Sequence, residues 1–395
     1  MNYFEHLLYY LSLVIFFLLA LQAFYLFVFA LASHLIPVKK YAVVEHLGRF
    51  VIYIPSYRED TVIVDTAAAA LAIDYPADKK KIIVIADSLQ PETLEKLRSL
   101  EIQVVVVSFE KSTKAKALNE ALKQTEGDYD YALVLDADNV CAKDFLYRMN
   151  DVLHTGFKVV QGQRVAKNTN TTMALLDAVS EGINNQIFRK GHRALGLSCA
   201  IIGSGMALRY DLFKEIMPEI TAVGGFDKEM ELRLIRKKVL FGYAEKALVY
   251  DEKTTQQGAF ENQRRRWLSA QFHYMRQYLL EGFGQLFRGN IDFFDKVMQT
   301  LLLPRILLLG IAPVAFLLSL IPGPAVAPVY WLVAWAVTYF AILISVPAKY
   351  FNKQLLKAIV RLPLAFVSMF KLFFKLKGAN KTFIHTPHGD TNSKG

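Results

Sequence analysis

Apolar and polar positions are distributed along this 395-residue chain in three distinct patterns. From Leu7 to Leu31 the sequence is almost uninterrupted apolar residues, long enough to span a bilayer. From Arg49 onward, short apolar runs alternate with stretches of helical period, the pattern of an α/β domain with a mostly parallel sheet. Strands are predicted at Phe50–Ile54, Lys81–Ala86, Ile102–Ser108 and from Tyr131, with helices at Val62–Ile73, Glu92–Leu100 and Ala115–Lys123. Beyond residue 300 long apolar runs return at Leu301–Ile321 and Val326–Val346, separated by the turn Pro322-Gly323-Pro324. An Arg305 near the start of the first run should face protein or the interface rather than lipid. In the last pattern Lys353, Lys357, Arg361, Ser368, Lys371 and Lys375 share one side of a helix whose other sides are apolar. That predicts a basic amphipathic helix lying in the membrane interface, kinked by Pro363.

The run Tyr131–Leu135 reads as a strand buried on both faces and leads directly into Asp136-Ala137-Asp138-Asn139. In extended geometry residues two apart project from the same face, so Asp136 and Asp138 sit side by side at the carboxyl edge of the sheet. Two such carboxylates invite a divalent cation, and oxygen-only ligands suit Mg²⁺ or Mn²⁺ that also holds substrate phosphates. The preceding strands end in Pro55-Ser56-Tyr57-Arg58-Glu59 and in Asp87, so several polar groups converge on one edge as in a nucleotide pocket. No Walker-type loop and no GxGxxG occurs, which argues against P-loop or dinucleotide binding. Diphosphate charge would instead meet the cation and Lys114 at a helix start.

Composition changes this picture mainly in its location. The chain is 53% apolar and 21% charged, with 46 Lys and Arg against 36 Asp and Glu for a net charge of +10. The basic excess clusters beside the apolar segments, which points to an anionic membrane surface, and no nucleic-acid module is present. A cleaved signal peptide ending at Ala30-Leu31-Ala32 is disfavoured by the length of the apolar run and by the lack of a basic start. Lys39, Lys40 and Arg49 then place the following domain in the cytosol. Cys141 and Cys199 are the only cysteines, which excludes a disulfide scaffold.

The order Pro55-Ser56-Tyr57-Arg58-Glu59, Asp87, Lys114-Ala115-Lys116-Ala117-Leu118-Asn119 and Asp136-Ala137-Asp138 resembles membrane-bound family 2 glycosyltransferases, including cellulose and hyaluronan synthases. The resemblance continues in Gly203-Ser204-Gly205-Met206-Ala207-Leu208-Arg209, in Asp227 ahead of Leu232-Arg233, and in Gln263-Arg264-Arg265-Arg266-Trp267, similar to the QxxRW motif. It covers roughly residues 49–275. Three positions depart from the family pattern: Arg58 stands for Asn, Thr113 for Gly, and Phe226 for the Glu of a Glu-Asp pair.

The resemblance implies a GT-A fold, a Rossmann-like and mostly parallel α/β sheet, with flanking transmembrane and interfacial helices. It divides the chain into an anchor (1–36), a cytosolic catalytic domain (49–275), an interfacial segment with two transmembrane helices (276–350), and an interfacial helix with a cytosolic tail (351–395). The implied nucleotide site comprises Pro55, Tyr57, Glu59, Asp87, Lys114, Asp136 and Arg266, with Asp136 and Asp138 holding Mg²⁺ or Mn²⁺. Gly203, Ser204, Gly205, Gln263 and Trp267 would meet the acceptor, while Arg264 and Arg265 read as membrane-surface or solvated charges. Asp227 is the expected base; Glu229 stays open, and Glu231 reads as a structural acid near Arg236 or Lys237. His192 reads as a surface or hydrogen-bonded residue, and the tail Phe383–His388 as a segment able to approach the site. The expected reaction is inverting transfer from a nucleotide sugar, UDP-linked, to a growing polysaccharide at the cytoplasmic membrane. A lipid acceptor or a non-catalytic subunit stands as the alternative, and a homo-oligomer or export partner would serve product export.

Overall fold

The structure, a computed structural model, describes residues 3–373 except 38, 40, 254–256 and 322–324. It begins with α1 (Tyr3–Leu35). The α/β alternation follows as β1 (Phe50–Tyr57), α2 (Ile63–Leu71), β2 (Lys80–Asp87), α3 (Pro91–Arg98), β3 (Gln103–Val107), α4 (Lys114–Lys123) and β4 (Tyr131–Val134). Helix α4 starts where it does because the Thr113 hydroxyl accepts from the Lys116 amide at 3.2 Å, an N-cap. The second half is less regular: β5 (Val140–Cys141), α5 (Phe145–Leu153), β6 (Val159–Ala166) and α6 (Thr172–Asn184). Helix α6 runs on through a π-helical stretch, Asn185–Gly191, into α7 (His192–Ala194). Then come β7 (Met206–Arg209), α8 (Tyr210–Ile216), α9 (Phe226–Arg236) and β8 (Phe241–Asp251).

The eight strands form one sheet in the order β3-β2-β1-β4-β7-β6-β8-β5. Strands β3, β2, β1 and β4 are parallel, β7 runs antiparallel between β4 and β6, and β6 pairs parallel with β8. The connections leave β1 and β4 in opposite directions across the sheet. Open α/β sheets bind ligands at such a switch point, outside the carboxyl ends of the strands.

Successive β1 residues feed two different cores, because side chains alternate across a pleated sheet. Val51 and Tyr53 join α4, α8 and α9 residues, while Phe50, Ile52 and Ile54 join α2 and α5 residues. A third core lies outside the sheet. There Leu26 and Phe29 of α1 meet Ile183 and Ile187 of the α6–π run, together with Leu308, Trp331 and Ile342. Gly191 makes that crossing possible, since a Cβ there would stand 2.2 Å from the Phe29 carbonyl oxygen.

After the sheet come α10 (Gln257–Phe287), α11 (Ile291–Gln299), α12 (Arg305–Ser319), α13 (Pro328–Ile344), α14 (Lys353–Ile359) and α15 (Leu362–Phe373). Helix α10 is continuous across residue 275, where the sequence reading ends the catalytic domain. By length and composition, Glu5–Leu35 is the one helix among the described residues able to cross a membrane; α12 and α13 are shorter. Arg305 does face protein, bonding Asn184 and Ser180 of α6. The expected single amphipathic helix is two helices, α14 and α15. Pro363 sits in the first turn of α15, where its missing amide costs nothing, instead of kinking a helix interior. The Pro322–Pro324 turn, Lys375 and the Phe383–His388 tail lie outside the described residues.

Candidate active site

Parallel pairing sets Tyr57 directly opposite Asp87 at the carboxyl edge. The next residue on each strand, Arg58 (φ 55°) and Ser88 (φ 56°), turns left-handed, and the Arg58 amide donates to the Asp87 carbonyl at 3.1 Å. Left-handed geometry favours Asn over Arg, which accounts for the Asn expected at position 58. The Arg58 guanidinium lies 5.1 Å over the Tyr57 ring. Asp87 is buried and accepts from the Ser88 hydroxyl at 3.0 Å. Pro55 is part of β1, and the Glu59 carbonyl accepts the Val62 and Ile63 amides, which starts α2.

One strand further along, the geometry differs from the expectation. Strand β4 stops at Val134, and residues 136–139 form a turn closed by the Asn139 amide on the Asp136 carbonyl at 3.1 Å. Asp136 and Asp138 therefore share a turn, not a strand face. The cause lies in the loop between α7 and β7: the Asp136 amide is taken by the Ser204 hydroxyl at 2.9 Å, and that hydroxyl donates to Asn139. Ser204 is wholly buried, so it holds the turn while Gly203 and Gly205, both left-handed, carry the loop past it.

Lys114 joins these parts. Its ammonium pairs with Asp136, donates to the Gly203 carbonyl at 2.7 Å, and stands 5.8 Å over the Phe226 ring. A Cβ on Gly203 would lie 3.4 Å from the Asp227 Cβ, so Asp227 enters the same cluster. Burial pushes the Asp227 carboxyl above the ordinary aspartate range; Glu231 adds to this while Lys228 and Lys114 oppose it.

The other acids of α9 are committed elsewhere. Glu229 accepts the Thr221 and Ala222 amides at 3.1 and 2.7 Å and pairs with Arg233 at 2.7 Å. Burial would raise the Glu231 carboxyl, but Lys228 and Lys296 outweigh it and hold the group low. Arg236 and Lys237 do not reach Glu231. At five and six residues along a helix they point away from it, and they pair instead with Glu281 and with Glu215 and Glu219.

Helix α10 brings in Gln263 and Arg266, both partly buried, and Trp267, which is 42% exposed and so is not a core residue. Burial lowers the Arg266 pKa, and the Asp136 carboxylate opposes that shift. Arg264 is no solvated charge: it bonds Asp177 of α6 at 2.6 Å and lies 4.7 Å over the Trp267 ring.

Residues 48–270 match the family described as "Glycosyltransferase like family 2". The chain belongs to that family. Over 109 residues this glycosyltransferase is 35% identical to poly-beta-1,6-N-acetyl-D-glucosamine synthase of Staphylococcus aureus, a stretch covering 27% of this chain and 26% of that one. Over 96 residues it is 36% identical to the UDP-forming cellulose synthase catalytic subunit of Pseudomonas fluorescens, covering 24% and 13%. The chain thus matches about a quarter or less of the length of these curated relatives. A mannosyltransferase from Pyrobaculum calidifontis, solved with GDP-Man and Mn²⁺, shares the GT-A fold at a TM-score of 0.56 and 15% identity. That alignment covers 94% of this chain and 98% of the other.

Among the described residues no group of three or more His, Cys, Asp and Glu side chains could hold a metal. What the glycosyltransferase has is the pair Asp136 and Asp138 on one turn. That donor set suits a cation completed by diphosphate oxygens and water, not an all-protein cage. A cavity of about 460 Å³ lies at the opposite end of β4, lined by Tyr129, Tyr131, His154, Arg209 and Asp211. Its Arg209 and Asp211 pair with each other, and none of the convergent groups above lines it.

Sequence reasoning missed Asn139, Asp177, Asp251 and Lys253. Asn139 donates to Asp138 and to Asp251, and Lys253 is almost fully buried between Asp251 and Asp177. The available signal was Asp177 and Glu181, four apart on an otherwise apolar helix face with Ala174 and Ala178. His192 is hydrogen-bonded, as expected, but wholly buried: it faces Tyr25 at 2.9 Å and Asp295 at 3.2 Å and stacks on Phe29.

Proposed function

We propose that this protein is an inverting, metal-dependent glycosyltransferase that moves a sugar from a nucleotide sugar, UDP-linked, to a saccharide chain at a membrane. The observation that carries the reading is Lys114. One ammonium links the carboxylate of the aspartate turn, the carbonyl of the glycine loop and the ring beside Asp227, so groups for leaving-group charge and for the base share one site.

In this reading Tyr57 and Asp87 hold the nucleoside at the ends of β1 and β2. Lys114 and Arg266 carry the diphosphate charge; an arginine suits that task because its planar fork meets phosphate oxygens in pairs. A divalent cation bound by Asp136 and Asp138 would supply Lewis-acid neutralisation of the departing diphosphate. The acceptor hydroxyl approaches along Gly203 and the exposed face of Trp267, and its oxygen bonds to the anomeric carbon. The bond from that carbon to the diphosphate oxygen breaks, and the hydroxyl proton passes to the Asp227 carboxylate. A base with a raised pKa is better matched to a proton near neutral pH than an ordinary aspartate. Attack from the face opposite the leaving group inverts the configuration.

Helix α1 serves as the membrane anchor, with the sheet on the cytosolic side; α12 and α13 complete the membrane part. The curated relatives named above make polysaccharides, which supports a saccharide acceptor over a lipid. Purified protein in lipid, given a panel of UDP-sugars and then EDTA, tests the reading by mass analysis of the product. A saccharide product that disappears with EDTA and returns with Mn²⁺ or Mg²⁺ is expected. A lipid-linked monosaccharide would change the acceptor, and full turnover in EDTA would remove the metal.

A further inference from the structure

The residues missed by sequence reasoning form a circuit. From the aspartate turn, Asn139 donates to Asp251 at 3.2 Å, and Asp251 accepts from Lys253 at 2.7 Å. Lys253 faces Asp177 at 3.7 Å, and Asp177 accepts from Arg264 at 2.6 Å. Two residues along α10 stands Arg266, on which the Asp136 carboxylate, back in the turn, acts. Asp177 and Lys253 are 8% and 3% exposed, so the pairs are shielded from the solvent screening that makes surface ion pairs weak. Breaking a buried charge pair on one side leaves the other charge buried and uncompensated. Asp177 is the member of this circuit that pairs with a cation of α10, Arg264, as well as with Lys253, and it belongs to α6, outside the sheet edge.

We infer that Asp177 is the positioning residue of the Arg266–Trp267 corner: by holding Arg264 against α6 it fixes the distance between α10 and the aspartate turn. The inference rests on the proposed function only for what Arg266 binds, a nucleoside diphosphate. The positioning itself does not depend on that reading. Arg264 also lies over Trp267, so releasing Arg264 disturbs both the phosphate-side cation and the exposed ring in one step.

The experiment is a double-mutant cycle on the full-length protein in lipid, with UDP plus Mn²⁺ as the probe and isothermal calorimetry as the readout. Asp177→Ala should weaken UDP about tenfold, the usual order for a charge-assisted contact put out of place. Arg266→Ala should weaken it at least as much, and the double variant should resemble Arg266→Ala alone, since coupled residues do not add. Asp177→Asn, which keeps an oxygen for Arg264, should recover part of the loss. A second readout needs no nucleotide: amide hydrogen exchange across residues 263–267 should speed up in Asp177→Ala. It should not change in Arg209→Ala, which breaks an exposed pair at the far end of β4. Unchanged exchange in Asp177→Ala overturns the inference, as does a UDP loss that adds fully to that of Arg266→Ala. If the wild type binds no UDP, the functional reading falls while the exchange comparison still decides the positioning role.

Discussion

The wall of the site that carries Tyr57, Asp87 and Asp136 stands on parallel strands whose side chains enter two apolar cores. The wall that carries Asp227 and Arg266 stands on helices α9 and α10, tied to the rest by charged groups taken out of water. Glu229 and Glu231 bind backbone amides and lysine or arginine, and Asp177 binds Arg264. The first wall draws its rigidity from burial, which is non-directional and tolerant of small changes. The second shares one of those apolar cores and adds directional contacts, in which removing one partner strands the other. Shape-conserving changes should therefore be mild on the strand wall, and removing one member of a buried pair severe on the helical wall.

The largest effect expected on the helical wall is the loss of the proposed base. Asp227→Asn should leave UDP affinity intact and lower single-turnover transfer by about 10²–10⁴-fold, the usual worth of a positioned base. Glu229→Gln sharpens the comparison. It should lower the melting temperature, because two amides and Arg233 lose an anionic acceptor, yet cost far less in transfer per folded molecule. Should Glu229→Gln be the crippling change and Asp227→Asn the mild one, the base is misassigned.

A smaller effect follows from the direction of the Asp227 shift. The base must be ionised to act, so kcat/KM should fall as pH drops, with a midpoint above the roughly 3.9 of an unperturbed aspartate. The same shift has a sign for stability. A carboxyl raised in the folded state binds its proton more tightly there than in the unfolded chain, so ionisation above the unfolded pKa destabilises the fold. Asp227→Asn should thus melt higher than wild type at neutral pH, and the gap should close as the solution is acidified. A wild type that melts higher at neutral pH would contradict the burial of this charge.

The smallest effect belongs to the strand wall. Arg58 is left-handed, where Asn is more comfortable, so Arg58→Asn should hold or slightly raise the melting temperature and leave the donor edge intact. Calorimetric melting checks it, and a clear loss of stability would show that the Arg58 contact with Tyr57 outweighs the backbone term.

The strand wall was also the legible one. Continuous apolar runs such as Phe50–Ile54 admit few readings other than a buried parallel strand, and their polar exits mark the sheet edge without further information. The family motifs placed Lys114, Asp227 and Arg266 together; the first two stand at helix starts, while Arg266 lies nine residues into α10. Two things stayed hidden. The run ending at Leu135 looks extended through Asp138, and only the Ser204 hydroxyl, brought from another loop, shows why the strand ends at Val134. Arg264 looks like any exposed cation until Asp177, 87 residues away in sequence, is beside it. Contacts made across such separations leave no local period to read.

The crossing of α1 with the π-helical stretch bears on how the chain is made. Helix α1 leaves the ribosome well before α11, and the Tyr25 hydroxyl finds Asp295 270 residues later. At about 5–20 residues per second, that interval is on the order of 15–50 s. His192 follows Tyr25 by 167 residues, but until α11 arrives the Tyr25 hydroxyl lacks its Asp295 acceptor. In the membrane setting proposed above, the nascent helix rests on the translocation machinery or on lipid until α11 arrives. Slowing translation between residues 192 and 295 should therefore lengthen the period in which α1 is open to membrane quality-control proteases, with no change in the finished protein.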